Sequence, residues 1–232
     1  MSAEPATSLD GIALFEDLAP EERAAILKQC RWKRYAPHEQ IIDRQSETRD
    51  VHFVVSGAVR VVNYSMSGRE ITLDDLGIGN HFGELAALDN EPRSASVMAL
   101  DDVLVASLPQ DTFLKVLEKH PSISLKLMRK LAGIVRAATI RIMDLSTLGA
   151  NNRVHAELLR QARVNSAGDN HAEITPIPVH ADIASRVSTT RETVARVLND
   201  LARRKIVERT KNTLVIRDLA ALEGLVEDVR GE

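Results

Sequence analysis

The stretch HFGELAALDNEPRSASVMAL, His81–Leu100, places one carboxylate, Glu84, and nine positions later one guanidinium, Arg93, among small and apolar residues. Charged side chains enter a fold when they are paired or bound to something. Gly83 permits close backbone approach, and Arg93-Ser94 offers a cation with a hydroxyl beside it, a set that can hold an anion. Glu84 is badly placed for an anion but well suited to accept from a sugar hydroxyl. Together they fit a ligand with a compact phosphate beside a ribose hydroxyl. On spacing alone, a Glu84–Arg93 salt bridge closing a loop is the stronger reading. The neighbouring GIGNHFG has the wrong final spacing for a dinucleotide fingerprint.

Around this stretch the chain is strand-rich. VHFVVSGAVRVVNY (51–64) is β-branched and apolar, broken at Ser56-Gly57 as a hairpin turn would break it. Ser67-Gly68 is a second turn signal, and SASVMAL and DVLVASL are short strands parted by Asp101-Asp102. Strands at this spacing predict a β-sandwich or jelly roll over residues 1–120. A short helix, APEERAAILKQC, precedes them, with Pro20 suited to a first turn.

After Pro121 the pattern changes. Ser122–Leu148 has no proline, and Leu131, Ala138 and Leu145 recur every seven residues, as do Leu127, Ile134 and Leu148, with Arg141 breaking the second series. Met128, Val135 and Ile142 widen the seam. This predicts a helix over 121–149, on the order of 40 Å long at about 1.5 Å per residue, facing its own domain and a partner's helix in a homodimer. GANN (149–152) reads as a hinge.

Residues 150–232 then give a helix (RVHAELLRQARV), a polar loop (NSAGDNHAEITPIP), two short helices around STT, and a hairpin turning at Lys211-Asn212. Helix, turn, helix and wing outline a winged DNA-binding domain. The formal net charge of the chain is −3, yet residues 186–217 hold nine Arg or Lys against three acids. Thr189-x-x-Glu192 has capping-box spacing and starts the second helix at Thr190 or Arg191. Val194, Val197, Leu198 and Leu201 form its inward stripe, leaving Arg191, Glu192 and Arg196 outside at its N-terminal end. Arg reaches guanine O6 and N7, and a carboxylate accepts from cytosine N4. A Glu192–Arg196 pair on a solvated face is the plainer alternative.

At 44% hydrophobic and 27% charged the composition is that of an ordinary globular protein, with no apolar run of membrane-spanning length and no signal-like N-terminus. The one cysteine, Cys30, rules out an internal disulfide and a cysteine-held cluster, and the scattered histidines predict no metal site. A cytoplasmic protein is expected. No nucleophile–base constellation appears, so no catalytic residue and no enzyme is predicted.

From about Leu14 to Leu225 the chain resembles the cyclic AMP receptor protein branch of the bacterial cyclic AMP receptor / fumarate–nitrate regulator family. FGELAALDNEPRSASV resembles the phosphate-binding cassette of cyclic-nucleotide domains, and STTRETVARVL resembles the family's recognition helix. The resemblance implies an α+β protein: an N-terminal jelly roll binding a cyclic nucleotide, a dimerisation helix, and a C-terminal winged helix-turn-helix. It implies that Glu84 takes the ribose 2′-hydroxyl and that Arg93 and Ser94 take the cyclic phosphate. Gly83, Glu84 and Leu85 line the same pocket, and Thr139 contacts the purine. It implies cAMP, or cGMP, as allosteric ligand. For DNA it implies Arg191, Glu192 and Arg196 as readers of a TGTGA-type half-site, with Thr190, Thr193 and His180 near phosphates. Double-stranded DNA, a second copy of the chain and RNA polymerase are the partners implied, with the loop around Ala167–Asn170 a candidate for the polymerase contact. Ser188 stands in the turn where the family has Gly, which costs of order 1 kcal/mol if its φ is positive. A ligand-independent relative with a vestigial pocket is the alternative.

Overall fold

The computed structural model describes residues 8–164 and 170–230, with side chains described through residue 227. The chain forms two units, one ending at Ile134 and the other beginning at Val135.

In the first unit, α1 (Pro20–Leu27) leads into β1 (Arg31–Tyr35), β2 (Gln40–Ile42), β3 (Val51–Ser56), β4 (Val59–Tyr64), β5 (Glu70–Leu76) and β6 (His81–Phe82). There follow α2 (Glu84–Asp89), β7 (Ser96–Ala99), β8 (Val103–Leu108) and α3 (Gln110–Lys119). The strands make two four-stranded antiparallel sheets, ordered β1-β8-β3-β6 and β2-β7-β4-β5. Alternation along the strands sorts the core. In β3, Val51 and Phe53 pack with Phe15, Phe113 and Ile123 on the helix-covered side, while Val54 points the other way, among Tyr35, Val59, Phe82 and Val97. Residues of β8 are buried along its whole length because both faces are covered, which is why VLVASL reads as one apolar run.

Ser56-Gly57 is not a hairpin. β3 and β4 lie in different sheets, so the chain crosses between layers there. Local turn chemistry marks the corner without specifying pairing. Gly57 has φ +77, and a Cβ on it would lie 2.4 Å from Asp101 Oδ1. That carboxylate in turn accepts from the Ala58 N–H at 2.8 Å and holds the corner. Ser67-Gly68 does turn a hairpin, β4 to β5.

The long helix α4 runs from Pro121 to Thr147 and passes through the boundary between the units. Ile123 and Leu127 are buried in the first unit's core. Further along, Val135, Ile140, Ile142 and Met143 are each more than half exposed in the single chain. Arg141, the break in the heptad series, is half-buried and feels the charge of buried Glu157, which also lies 2.8 Å from Arg160 Nη2 and 3.9 Å from Arg186 Nε.

Beyond α4 come α5 (Ala150–Val164), β9 (Ala172–Ile174), α6 (His180–Arg186), α7 (Arg191–Arg203), β10 (Val207–Arg209), β11 (Leu214–Ile216) and α8 (Leu219–Arg230). The break after α4 is narrower than GANN suggests, because Asn151 and Asn152 already belong to α5 and the Arg153 N–H donates to the Gly149 carbonyl. The wing is a three-stranded sheet, β10-β11-β9, rather than a two-stranded hairpin. Its third strand comes from the segment that reads as a polar loop. Val154, Leu158, Ile183, Val194, Val197, Leu201, Ile216 and Leu222 form this unit's core.

Candidate functional site

The strand-to-helix corner at Gly83 builds the first site. Gly83 has φ +83 and caps α2, and a Cβ there would sit 2.5 Å from Arg93 Nη1. Only glycine meets both demands. Arg93 is 3% exposed. Its Nε donates to Thr48 Oγ1 at 3.1 Å, Nη1 to the Gly83 carbonyl at 2.7 Å, and Nη2 to the Asp50 carbonyl at 2.7 Å. Burial presses its pKa down, opposed by the charges of Asp50 and Glu84, and a guanidinium stays charged throughout. Three of its five N–H groups are thus spent on the frame of the loop.

Glu84 is 6% exposed, yet no described residue hydrogen-bonds its carboxylate, and no ion pair joins it to Arg93 among the described residues. The salt-bridge alternative is therefore not what the structure contains. Two opposite charges lie near one another, and no described protein group donates to the carboxylate, whose oxygens are not sealed from solvent. Its acceptor oxygens are therefore open to a donor from a ligand. Ser94 and Leu85 are exposed beside them. Thr139 stands on α4 in the second unit, exposed, its hydroxyl donating to the Val135 carbonyl at 2.9 Å, so its oxygen remains an acceptor.

Three contributors to this site carry no sequence signal. Thr48 and the Asp50 carbonyl anchor Arg93, and Lys130 on α4 donates from Nζ to the His81 carbonyl at 2.7 Å. Backbone acceptors leave no mark on residue choice. Around them two histidines are held neutral. Burial, then Arg93 and Arg31, lowers the His52 pKa to about 3, and burial, then Lys130, does the same for His81.

The second site is the outer face of α7. Val194, Val197 and Leu201 are buried with Leu198 packed against them, and Arg191, Glu192, Arg196, Asn199 and Arg203 are exposed. The N-cap is Thr190, whose Oγ1 accepts from the Thr193 N–H at 3.2 Å. Thr189 is buried in the turn, its N–H donating to the Ala184 carbonyl, and the N-cap falls on Thr190, giving the Arg191 start. Glu192 bonds its own backbone N–H and the Thr190 hydroxyl, which with Arg191 holds its pKa below the usual range. It does not pair with Arg196. Neither Arg191 nor Arg196 has an ion-pair partner among the described residues, so both guanidinium groups are available to a ligand. His180, half-buried, opens α6.

The turn between α6 and α7 is held from behind. Ser188 has φ +51, the left-handed conformation that favours Gly. Arg153 on α5 donates from Nε to the Val187 carbonyl (2.8 Å), from Nη2 to the Ser188 carbonyl (3.1 Å) and from Nη1 to the Leu148 carbonyl (2.8 Å). One side chain fastens the turn that aims α7 to the end of α4. Of the loop around Ala167–Asn170, only Asn170 lies within the described residues, where it bonds Asp218 and the Ala220 N–H at the start of α8.

Two family models match the chain, one in each half. Residues 32–120 match the model of the cyclic nucleotide-binding domain, and residues 152–225 match that of the Crp-like helix-turn-helix domain. The chain is 33% identical over 215 residues to the cyclic AMP receptor protein of Thermus thermophilus, covering 93% of this chain and 97% of the relative. It is 28% identical over 207 residues to the CRP-like cAMP-activated global transcriptional regulator of Mycobacterium tuberculosis, covering 88% and 92%. Among solved structures, a CooA mutant from Carboxydothermus hydrogenoformans superposes with a TM-score of 0.81 at 26% identity, covering 92% of this chain and 95% of that one.

Proposed function

Because this chain belongs to the cyclic AMP receptor protein / fumarate–nitrate regulator family, with a nucleotide-binding and a DNA-binding domain, we propose that it is a homodimeric transcription regulator whose grip on DNA is set by a cyclic nucleotide. The observation that carries this reading is Glu84, a largely buried residue whose carboxylate oxygens stay open and take no donor from the described protein, near the buried Arg93 guanidinium. A ribose 2′-hydroxyl supplies the missing donor, and the cyclic phosphate takes the remaining Arg93 N–H groups with the Ser94 hydroxyl. Gly83 and Leu85 complete the pocket. Cyclic AMP is the favoured ligand, since relatives are named for it. Cyclic GMP is the competitor, because the Ser94 oxygen can accept from the 2-amino group of a syn guanine.

Thr139 presents an acceptor to the purine, and the apolar face left exposed on α4 covers a second copy's helix. Two α7 helices about 34 Å apart then enter successive major grooves of a TGTGA-type palindrome. Arg191, Glu192 and Arg196 read bases there, while Thr190, Thr193 and His180 meet phosphates. Nearly complete switching requires the nucleotide to favour the DNA-binding state by about 10⁴-fold, roughly 5.5 kcal/mol. The regulator works in the cytoplasm alongside RNA polymerase and catalyses no reaction.

One observation favours a second reading. Arg93 already satisfies three N–H groups within the protein, so the pocket frame stands without a ligand, as it would in a ligand-independent regulator. Fluorescence anisotropy of a labelled TGTGA palindrome, titrated at fixed salt with no ligand, cAMP or cGMP, separates the two. Tightening by one nucleotide names the ligand. Equal tight binding in all three titrations refutes the switch, and no binding in any refutes the assignment of the half-site to Arg191, Glu192 and Arg196.

A further inference from the structure

A cyclic nucleotide brings a second anion into a pocket that already contains Glu84. Against these two charges the pocket wall sets one cation, Arg93, with three N–H groups already committed. His52 and His81 add none, since burial keeps both imidazoles neutral. Glu84, a phosphodiester and Arg93 together carry −1, and a charge imbalance beside the desolvated Arg93 is costly.

Lys130 is the nearby cation. It reaches from α4, half-buried, to the His81 carbonyl at 2.7 Å, three residues before Glu84. Burial presses its pKa down, while the charges of Glu84 and exposed Asp74 favour its protonated form. No ion pair joins Lys130 to Glu84 among the described residues, so the ammonium lies within the carboxylate's field without being locked to it.

We infer that Lys130 is a positioning residue of the nucleotide site: its charge brings the occupied pocket to neutrality and fixes the buried Glu84 as the acceptor for the ribose. The inference rests on the cyclic-nucleotide reading and deepens it. Lys130 stands on α4 between Ile123 and Leu127, fixed in the first core, and the exposed Thr139. An anion arriving beside Glu84 therefore pulls on the long helix through the ammonium as well as through the purine.

The test is isothermal calorimetry of cAMP with wild type, K130Q, K130R, E84Q and E84Q/K130Q, each checked for an unchanged thermal midpoint. K130Q is expected to weaken binding about tenfold, the size of coupling between close, desolvated charges, and K130R by less than about threefold. In the E84Q background, where Arg93 and the phosphate already balance, the K130Q penalty is expected to shrink below about threefold. Wild-type affinity in K130Q overturns the inference. So do equal penalties in both backgrounds, which would make Lys130 a support of the fold, and a K130R protein as impaired as K130Q. If the wild type takes up no cyclic nucleotide, the reading of the pocket falls first and Lys130 with it.

Discussion

Replacing Arg153 by methionine keeps much of the aliphatic stem and removes the guanidinium that joins the carbonyls of Leu148, Val187 and Ser188 at 2.8, 2.8 and 3.1 Å. Hydrogen bonds from a charged donor contribute about 1.5–3 kcal/mol each. The group is only part-buried, so water recovers a share, and about 3 kcal/mol of loss for the three together is the expected net cost. With a urea m-value of about 1–1.5 kcal/mol/M for a unit of this size, the midpoint of the DNA-binding unit falls by about 2–3 M. The chain supplies its own control, because its single tryptophan, Trp32, packs in the first unit's core. Trp32 fluorescence is expected to report an unchanged transition while far-UV circular dichroism acquires an earlier one. Coincident, wild-type transitions by both probes would refute the clamp. A uniform shift of both would show instead that Arg153 supports the whole chain.

Three further outcomes are expected. Gly83→Ala places a Cβ 2.5 Å from Arg93 Nη1 at φ +83, and calorimetry should find cAMP binding weakened by about tenfold or more while the thermal midpoint falls by only a few degrees. His52 and His81 have folded pKa values of about 3, below the ordinary 6.5, so the neutral ring each contributes stabilises the fold fully above pH 6.5. That contribution declines as pH drops from 6.5 toward 3, by up to about 1.4 kcal/mol per pH unit for each ring, and urea midpoints followed by Trp32 fluorescence should track it. Arg191→Ala should cost about 1–3 kcal/mol on a G-containing half-site and relax specificity at one base pair, measured by anisotropy on single-substitution duplexes. A uniform loss on all sequences would make Arg191 a phosphate contact.

Much of this architecture was legible in the residues. β-branched runs mark β3, β4 and β8, and the heptad series places α4 over 121–149 against an observed Pro121–Thr147. What escaped has physical causes. The crossing at Ser56-Gly57 looks like a hairpin because turn residues encode a change of direction, and pairing is decided by strands distant in the chain. β1 (RWKRY) is largely exposed and charged, and β9 is three residues long, so neither displays a period. In the proposed pocket, the types at Gly83, Glu84 and Arg93 favour a salt bridge on spacing alone, and only the family resemblance turns that reading towards a nucleotide. Their supports carry no signal, because Arg93 and Arg153 hold main-chain oxygens that every residue possesses.

That last property bears on how such a regulator changes over generations. Arg93 grips the main-chain oxygens of Gly83 and Asp50 and, among the described residues, the Thr48 hydroxyl as its side-chain partner, while Leu85 and Ser94 in the same segment are exposed. Under the proposed reading, scaffold and selectivity are written in different residues. Exposed positions can drift with changes typically within about 0.5 kcal/mol of stability, so a descendant can acquire taste for another small molecule without first rebuilding the cup that holds it.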